Sequence, residues 1–222
     1  QLFEEQVAKH PDSLGVIFNN EKLSYRQLNE KSNQLAHYLR KQGVRENSIV
    51  ALLIERSLNA IVSMLGVLKA GGAYALLDPD YPANRIDFLL KDTNALAALT
   101  LSDFKERISD SHVKKVVLDE WEDELSKEST ENLNIFNNLD DTVYCIYTSG
   151  STGVPKGVLV THRGLLNYVV SIVGRIHFEE GGTFALVSTL TADLGNTMIF
   201  PSLCVGGCLH VIPKEAATDS IM

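Results

Sequence analysis

Between Tyr147 and Gly157 the chain reads Tyr-Thr-Ser-Gly-Ser-Thr-Gly-Val-Pro-Lys-Gly: three glycines and four aliphatic hydroxyls, closed by one lysine. Glycine lets a backbone approach an anion closely and tolerates positive φ. Successive free backbone N–H groups in such a loop form a concave anion nest. Thr148, Ser149, Ser151 and Thr152 add hydroxyl donors, and Lys156 adds a compact positive charge that can neutralise a phosphate. Gly150 and Gly153 supply the close approach, and Lys156 and Thr148 are the catalytic candidates of the set. Holding a polyphosphate, and steadying the charge that develops on it, is the chemistry these residues can do. A polar surface turn has the same composition, so the order of residues has to decide. The string is not the Gly-x4-Gly-Lys-Ser/Thr phosphate loop, because Pro155 precedes Lys156 and Gly157 follows it. It is not the Gly-x-Gly-x-x-Gly dinucleotide pattern either, since the glycines stand at 150, 153 and 157.

Two strands must carry this loop. Val143–Tyr147 leads in and Val158–Val160 leads out, both apolar. Upstream, Ile49–Ile54 is a continuous apolar run, the pattern of a strand covered on both faces. Further strands are predicted at 14–18, 73–77, 96–101, 113–118, 183–188 and 208–212. Between them lie helical patterns. Ser24 with Gln27 reads as a capping box opening a helix that runs to about Gln42, where Gly43 closes it. Ser57 caps a helix over 58–70, and further helices are predicted at 85–91, 102–109, 162–176 and 196–203. Strands alternating with helices imply an α/β fold with largely parallel sheet. Residues 119–141, with acids at 119, 120, 122, 123 and 124, read as a polar, solvated connection.

Composition narrows the function classes. The 222 residues carry a net charge of −8 and show no basic face, which argues against a nucleic-acid partner. No apolar run reaches the roughly 18 residues a membrane span needs, and no signal peptide opens the sequence. The three cysteines, Cys145, Cys204 and Cys208, sit in apolar company and read as small buried residues, with no second pair to complete a metal site. A reduced, cytoplasmic setting fits.

The ordered string at 147–157 resembles the phosphate-loop motif of the adenylate-forming superfamily, which includes the adenylation domains of nonribosomal peptide synthetases, acyl-CoA synthetases and luciferases. Leu23-Ser24-Tyr25-Arg26-Gln27-Leu28-Asn29 is similar to an early motif of the peptide-synthetase branch. Leu68–Tyr74, continuing to Asp78-Pro79-Asp80-Tyr81-Pro82 and Arg85, resembles that branch's second motif, with Ala75-Leu76 where Val-Pro is usual. Ala192-Asp193-Leu194-Gly195 resembles its Phe-Asp-x-Ser motif, departing at Ala192 and Gly195.

The resemblance implies a fold, a reaction and a set of partners. The fold is the N-terminal portion of the large subdomain, spanning 1–222, built of layered, largely parallel sheets with flanking helices. The small C-terminal subdomain, the adenine and ribose motifs and the glutamate that helps hold Mg2+ are expected beyond residue 222. The reaction is attack of an amino acid carboxylate on the α-phosphate of ATP, giving aminoacyl-AMP and pyrophosphate. Transfer to the phosphopantetheine thiol of a carrier-protein domain follows, among neighbouring synthetase domains. Thr148 through Lys156 would hold the β- and γ-phosphates. Asp193 would be a buried carboxylate, costly unless paired, with the substrate's α-amino group as its partner, or else would merely cap the helix near Asn196, while Leu194 and Thr197 would line the side-chain pocket. His162 could reach substrate or phosphate, or simply start a helix. By itself the chain is expected to turn over poorly. The alternatives are an acyl- or aryl-acid-activating ligase, which has no need of Asp193, and a non-catalytic scaffold segment.

Overall fold

A computed structural model of the chain describes residues 1–109, 113–149, 155–176, 178 and 181–218. The order is α1 (Leu2–Lys9), β1 (Leu14–Phe18), β2 (Glu21–Ser24), α2 (Tyr25–Lys41), β3 (Ile49–Leu53), α3 (Leu58–Lys69), β4 (Ala73–Leu77), α4 (Ala83–Asp92), β5 (Ala97–Thr100), a 3-10 turn (Ser102–Arg107) and β6 (Lys114–Val117). Then follow α5 (Glu122–Leu125), β7 (Thr142–Thr148), β8 (Lys156–Thr161), α6 (His162–Arg175), β9 (Thr183–Leu186), a 3-10 turn (Asp193–Gly195), α7 (Asn196–Cys204), β10 (Cys208–Val211) and α8 (Lys214–Thr218).

Two sheets form. One has four strands in the order β2-β1-β10-β9, the other six in the order β6-β5-β3-β4-β7-β8. Every neighbouring pair is parallel except the edge pairs β1–β2 and β7–β8. The fold is therefore the largely parallel α/β architecture that the alternation of elements predicts. Alternation within β3 shows the layering. Val50 and Leu52 join a core shared with both sheets and with α2, α3 and α7, whereas Ala51 and Leu53 join a second core under α4. Helices α2 and α3 thus lie between the sheets, and α4 covers the outer face of the larger one.

Local chemistry explains the ends of these helices. Ser24 Oγ accepts from the Gln27 N–H at 3.2 Å, and Gln27 Oε1 accepts from the Ser24 N–H at 2.9 Å, a complete capping box. Ser57 Oγ accepts from the Ala60 N–H at 3.2 Å and starts α3. Helix α3 is apolar all round, as a helix between two sheets must be. Its Gly66 lets α2 close in, because a Cβ there would stand 2.8 Å from Leu35 Cδ2.

Sequence boundaries shift where tertiary contacts intervene. The helix expected over 85–91 starts two residues earlier, behind Pro82. The one expected over 102–109 is a 3-10 turn ending at Arg107, and α5 and α8 are additions. Residues 119–141 keep their acids outward but run as a strap over α2 and α3. Trp121 meets Tyr38 edge-on at 5.4 Å, Asn132 Oδ1 accepts from Asn29 and Asn33, and Asn137 donates to Leu68 O at 3.1 Å.

Candidate functional site

Strands β7 and β8 form the hairpin that carries the phosphate-loop string. They pair antiparallel with Thr148 directly opposite Lys156, so the two catalytic candidates face each other across the base of the loop. Thr148, Ser149 and Lys156 are exposed. Gly150, Ser151, Thr152 and Gly153 lie outside the described residues. The hairpin is anchored from beneath. Tyr147 donates from its hydroxyl to Asp92 Oδ2 on α4 at 2.6 Å. Its ring lies against Gly157, where a Cβ would stand 3.2 Å from Tyr147 Cζ and 3.0 Å from Cys145 Sγ, so a side chain at 157 would push the anchor aside. Burial, then the Asp92 carboxylate, push the Tyr147 phenol far above its ordinary range, so it remains a donor at any working pH.

Side chains alternate along a strand, so Tyr144, Ile146 and Thr148 share one face of β7. On that face stands Asp193, in the 3-10 turn before α7. Its Oδ1 accepts from the Tyr144 hydroxyl at 2.7 Å and from Asn196 Nδ2 at 3.2 Å. Asn196 is 3% exposed, and its Oδ1 accepts from the Tyr74 hydroxyl at 3.4 Å. Tyr74 is fully buried on β4, in register with Tyr144 on β7, the two rings 5.6 Å apart. Burial foremost, with the Asp193 carboxylate contributing, raises both phenols far above their ordinary range.

Two sequence expectations about Asp193 change. It makes no side-chain cap on α7; its hydrogen bonds go to side chains instead. Nor is it a buried carboxylate, since the residue is exposed, so the cost of burial gives no argument for its role. Leu194 is 68% exposed beside it. Thr197 Oγ1 lies 2.7 Å from the Tyr168 hydroxyl of α6, either atom donating. Tyr74, Tyr144, Tyr168 and Asn196 are the residues sequence reasoning missed. For Tyr74 and Tyr144 the signal was an aromatic hydroxyl set among aliphatic strand residues, which needs a partner once buried; Tyr168 on α6 and Asn196 on α7 carried no such signal.

From Tyr144, which holds the carboxylate, to Thr148 at the base of the phosphate loop the strand advances roughly 13 Å. His162 sits at the other end of β8 from Lys156, about 17 Å away along the strand. Its N–H donates to Asp141 O at 3.0 Å, while Nε2 is buried without a partner among the described residues. It helps line a cavity of about 330 Å3 with Phe3, Leu65, Leu165 and Phe200, remote from the loop. His162 starts α6, one of the two roles expected of it, and Thr161 Oγ1 caps the helix by accepting from the Gly164 N–H at 3.3 Å. The cysteines form no disulfide; burial pushes the Cys145 and Cys204 thiols up to about 11. Among the described residues no group of three His, Cys, Asp or Glu side chains could hold a metal ion, and no helix is long and apolar enough to cross a membrane.

A glycine- and hydroxyl-rich hairpin loop on a largely parallel α/β sheet, with a fixed carboxylate on the same face, defines a nucleotide-handling domain of the adenylate-forming type. The profile of the AMP-binding enzyme family matches residues 3–222, and the chain belongs to that family. It is 46% identical over 207 residues to bacitracin synthase 3 of Bacillus licheniformis, covering 93% of this chain and 3% of that protein. It is 41% identical over 214 residues to bacitracin synthase 2 of the same organism, covering 96% of this chain and 8% of that one. The crystal structure of the nonribosomal peptide synthetase FmoA3 in its AMPPNP-bound form superposes with a TM-score of 0.87 at 28% identity, over 95% of this chain and 22% of that one. The chain therefore spans a small part of each relative it matches.

Proposed function

We propose that the chain is the N-terminal part of the large subdomain of an amino-acid-activating adenylation domain. It helps form aminoacyl-AMP and pyrophosphate from an amino acid and ATP, before transfer to a carrier-protein phosphopantetheine thiol in a cytoplasmic peptide synthetase with further domains. The observation that carries this reading is the state of Asp193. Its carboxylate is exposed, on the same strand face as Thr148, and held by two neutral donors. Among the described residues no cation pairs with it, so its full charge remains for a substrate ammonium. An acid-activating ligase without amine recognition has no use for such a group.

The residues fit the nucleotide. Thr148 and Lys156, opposed across the hairpin, bring a hydroxyl donor and a positive charge to the base of the loop. There they steady the β- and γ-phosphates as pyrophosphate leaves, which is positioning and charge stabilisation rather than covalent chemistry. Leu194 and Thr197 line the side-chain pocket next to the carboxylate. Among the described residues no group of three His, Cys, Asp or Glu side chains offers Mg2+ a site; a carboxylate outside them would hold it together with the nucleotide's phosphates.

Amino-acid-dependent ATP–pyrophosphate exchange by the full-length polypeptide tests the reading. Native protein exchanges with one amino acid or a small set, and Asp193→Ala loses that dependence. Exchange supported equally by acids lacking an amine would move the protein to the acid-activating ligases.

A further inference from the structure

We propose that Tyr144 and Asn196, backed by Tyr74, are positioning residues that aim the Asp193 carboxylate at the substrate ammonium. The inference rests on the amino-acid-activating reading above and adds to it the machinery that makes one exposed carboxylate selective.

Among the described residues the phenol proton of Tyr74 has one acceptor within reach. Tyr74 is fully buried, and a buried hydroxyl left without an acceptor is costly. Asn196 Oδ1 is its acceptor at 3.4 Å. That contact fixes the orientation of the amide, because the oxygen must face Tyr74 and the NH2 must then face Asp193. The flipped amide would set two oxygens against each other at Asp193 and leave the buried Tyr74 proton without its acceptor. Asn196 is 3% exposed, so water cannot rescue a flipped state. The second donor is set as firmly. Tyr144 packs its ring, tilted, against Tyr74 of the neighbouring strand at 5.6 Å and reaches Asp193 Oδ1 at 2.7 Å.

Both donors land on the same oxygen. Oδ1 takes two hydrogen bonds, while Oδ2 takes none among the described residues. The carboxylate is therefore turned so that one oxygen faces the protein and the other is left for a ligand. Both donors are neutral, so orientation is gained without cancelling charge. A lysine or arginine in the place of Tyr144 would hold the group as well and abolish its attraction for an ammonium. Three side chains from β4, β7 and α7 thus convert a flexible surface aspartate into a preorganised one, with little conformational entropy left to lose on binding.

The test is ATP–pyrophosphate exchange by the full-length polypeptide, native and with Tyr144→Phe, Asn196→Ala, Tyr74→Phe or Asp193→Ala. Each is assayed with the preferred amino acid and with its analogue lacking the amine, and its folding is checked by thermal melting. Tyr144→Phe is expected to raise KM for the amino acid about tenfold or more, the weight of a hydrogen bond to a charged group. KM for ATP and the weak exchange supported by the amine-free acid should stay at native levels. Asn196→Ala should act in the same direction, and Tyr74→Phe more weakly, since it acts only through Asn196. If Tyr144→Phe does not fold, Asn196→Ala decides alone. An unchanged amino acid KM in these variants, with Asp193→Ala still damaging, overturns the proposal and leaves the amino-acid reading intact. Equal losses for the amino acid and its amine-free analogue overturn it as well, because they show a merely structural role. If Asp193→Ala itself leaves amino acid exchange unchanged, the reading beneath falls, and the proposal with it.

Discussion

Lys156 and Asp193 both sit at the surface, yet they answer to different partners. Lys156 stands opposite Thr148 at the mouth of the loop, where its charge is available to a phosphate. Lys156→Ala is therefore expected to raise KM for ATP roughly ten- to a hundredfold, with KM for the amino acid little changed. Initial-rate exchange kinetics at varied ATP check this, and equal effects on both substrates would count against a phosphate role. His162 answers to neither. Burial, only partly offset by the Asp141 carboxylate, holds its ring below the ordinary value of 6.5. The unfolded chain then takes up a proton near that value before the folded chain does. By linkage, stability is fully present above that value and falls as pH drops through it toward the folded-state pKa. Urea unfolding at pH 7 and pH 5 should show the loss, and His162→Gln should make it smaller. A variant with the native pH slope would show that other groups carry it.

Among the elements, the contact between α2 and α3 is the one the sheets depend on, because both helices are enclosed by the two layers. Gly66 and Leu35 meet there, and Leu35 has no room to move, being 1% exposed. Gly66→Val should cost about 1–3 kcal/mol by overpacking, read as a lower urea midpoint at unchanged slope. A midpoint at or above the native one would mean that the helices can part without strain. The hairpin β7–β8 is fixed differently, by one phenol bonded to Asp92 and one glycine beneath it. That arrangement holds the base of the loop in place.

At the scale of the molecule, the larger sheet ends on β8, an edge strand beyond which no further strand lies among the described residues. Successive residues Val158 and Leu159 point to opposite faces, and they are 47% and 57% exposed. Apolar side chains on an open edge favour pairing with another chain. A polypeptide of these 222 residues is expected to self-associate as concentration rises, and Leu159→Lys to suppress this. Light scattering that shows a monomer at every concentration would refute it.

Much of this architecture was legible in one dimension. The strand over 49–54, the capping box at Ser24 and Gln27, Ser57 before α3 and the alternation of strands and helices rest on interactions within a few residues, which local sequence records. The phosphate-loop motif could be read for the same reason, since the residues that match it are contiguous. What local sequence could not record was decided by packing. Asp193 looked like a buried carboxylate or a helix cap and is neither, because its partners Tyr144 and Asn196 are chosen by how β7 meets α7. Residues 119–141 looked like a solvated connection, but Asn132 accepts from Asn29 and Asn33 of α2, Asn137 donates to Leu68 O of α3, and Trp121 meets the Tyr38 ring, all of them partners far away in the chain. The sequence determined which residues could bind a phosphate and which fold would carry them. Only the tertiary structure decided which oxygen of Asp193 is held and which is open, because a hydrogen bond is set by distance and direction in space, and its donors, Tyr144 and Asn196, come from separate elements, β7 and α7.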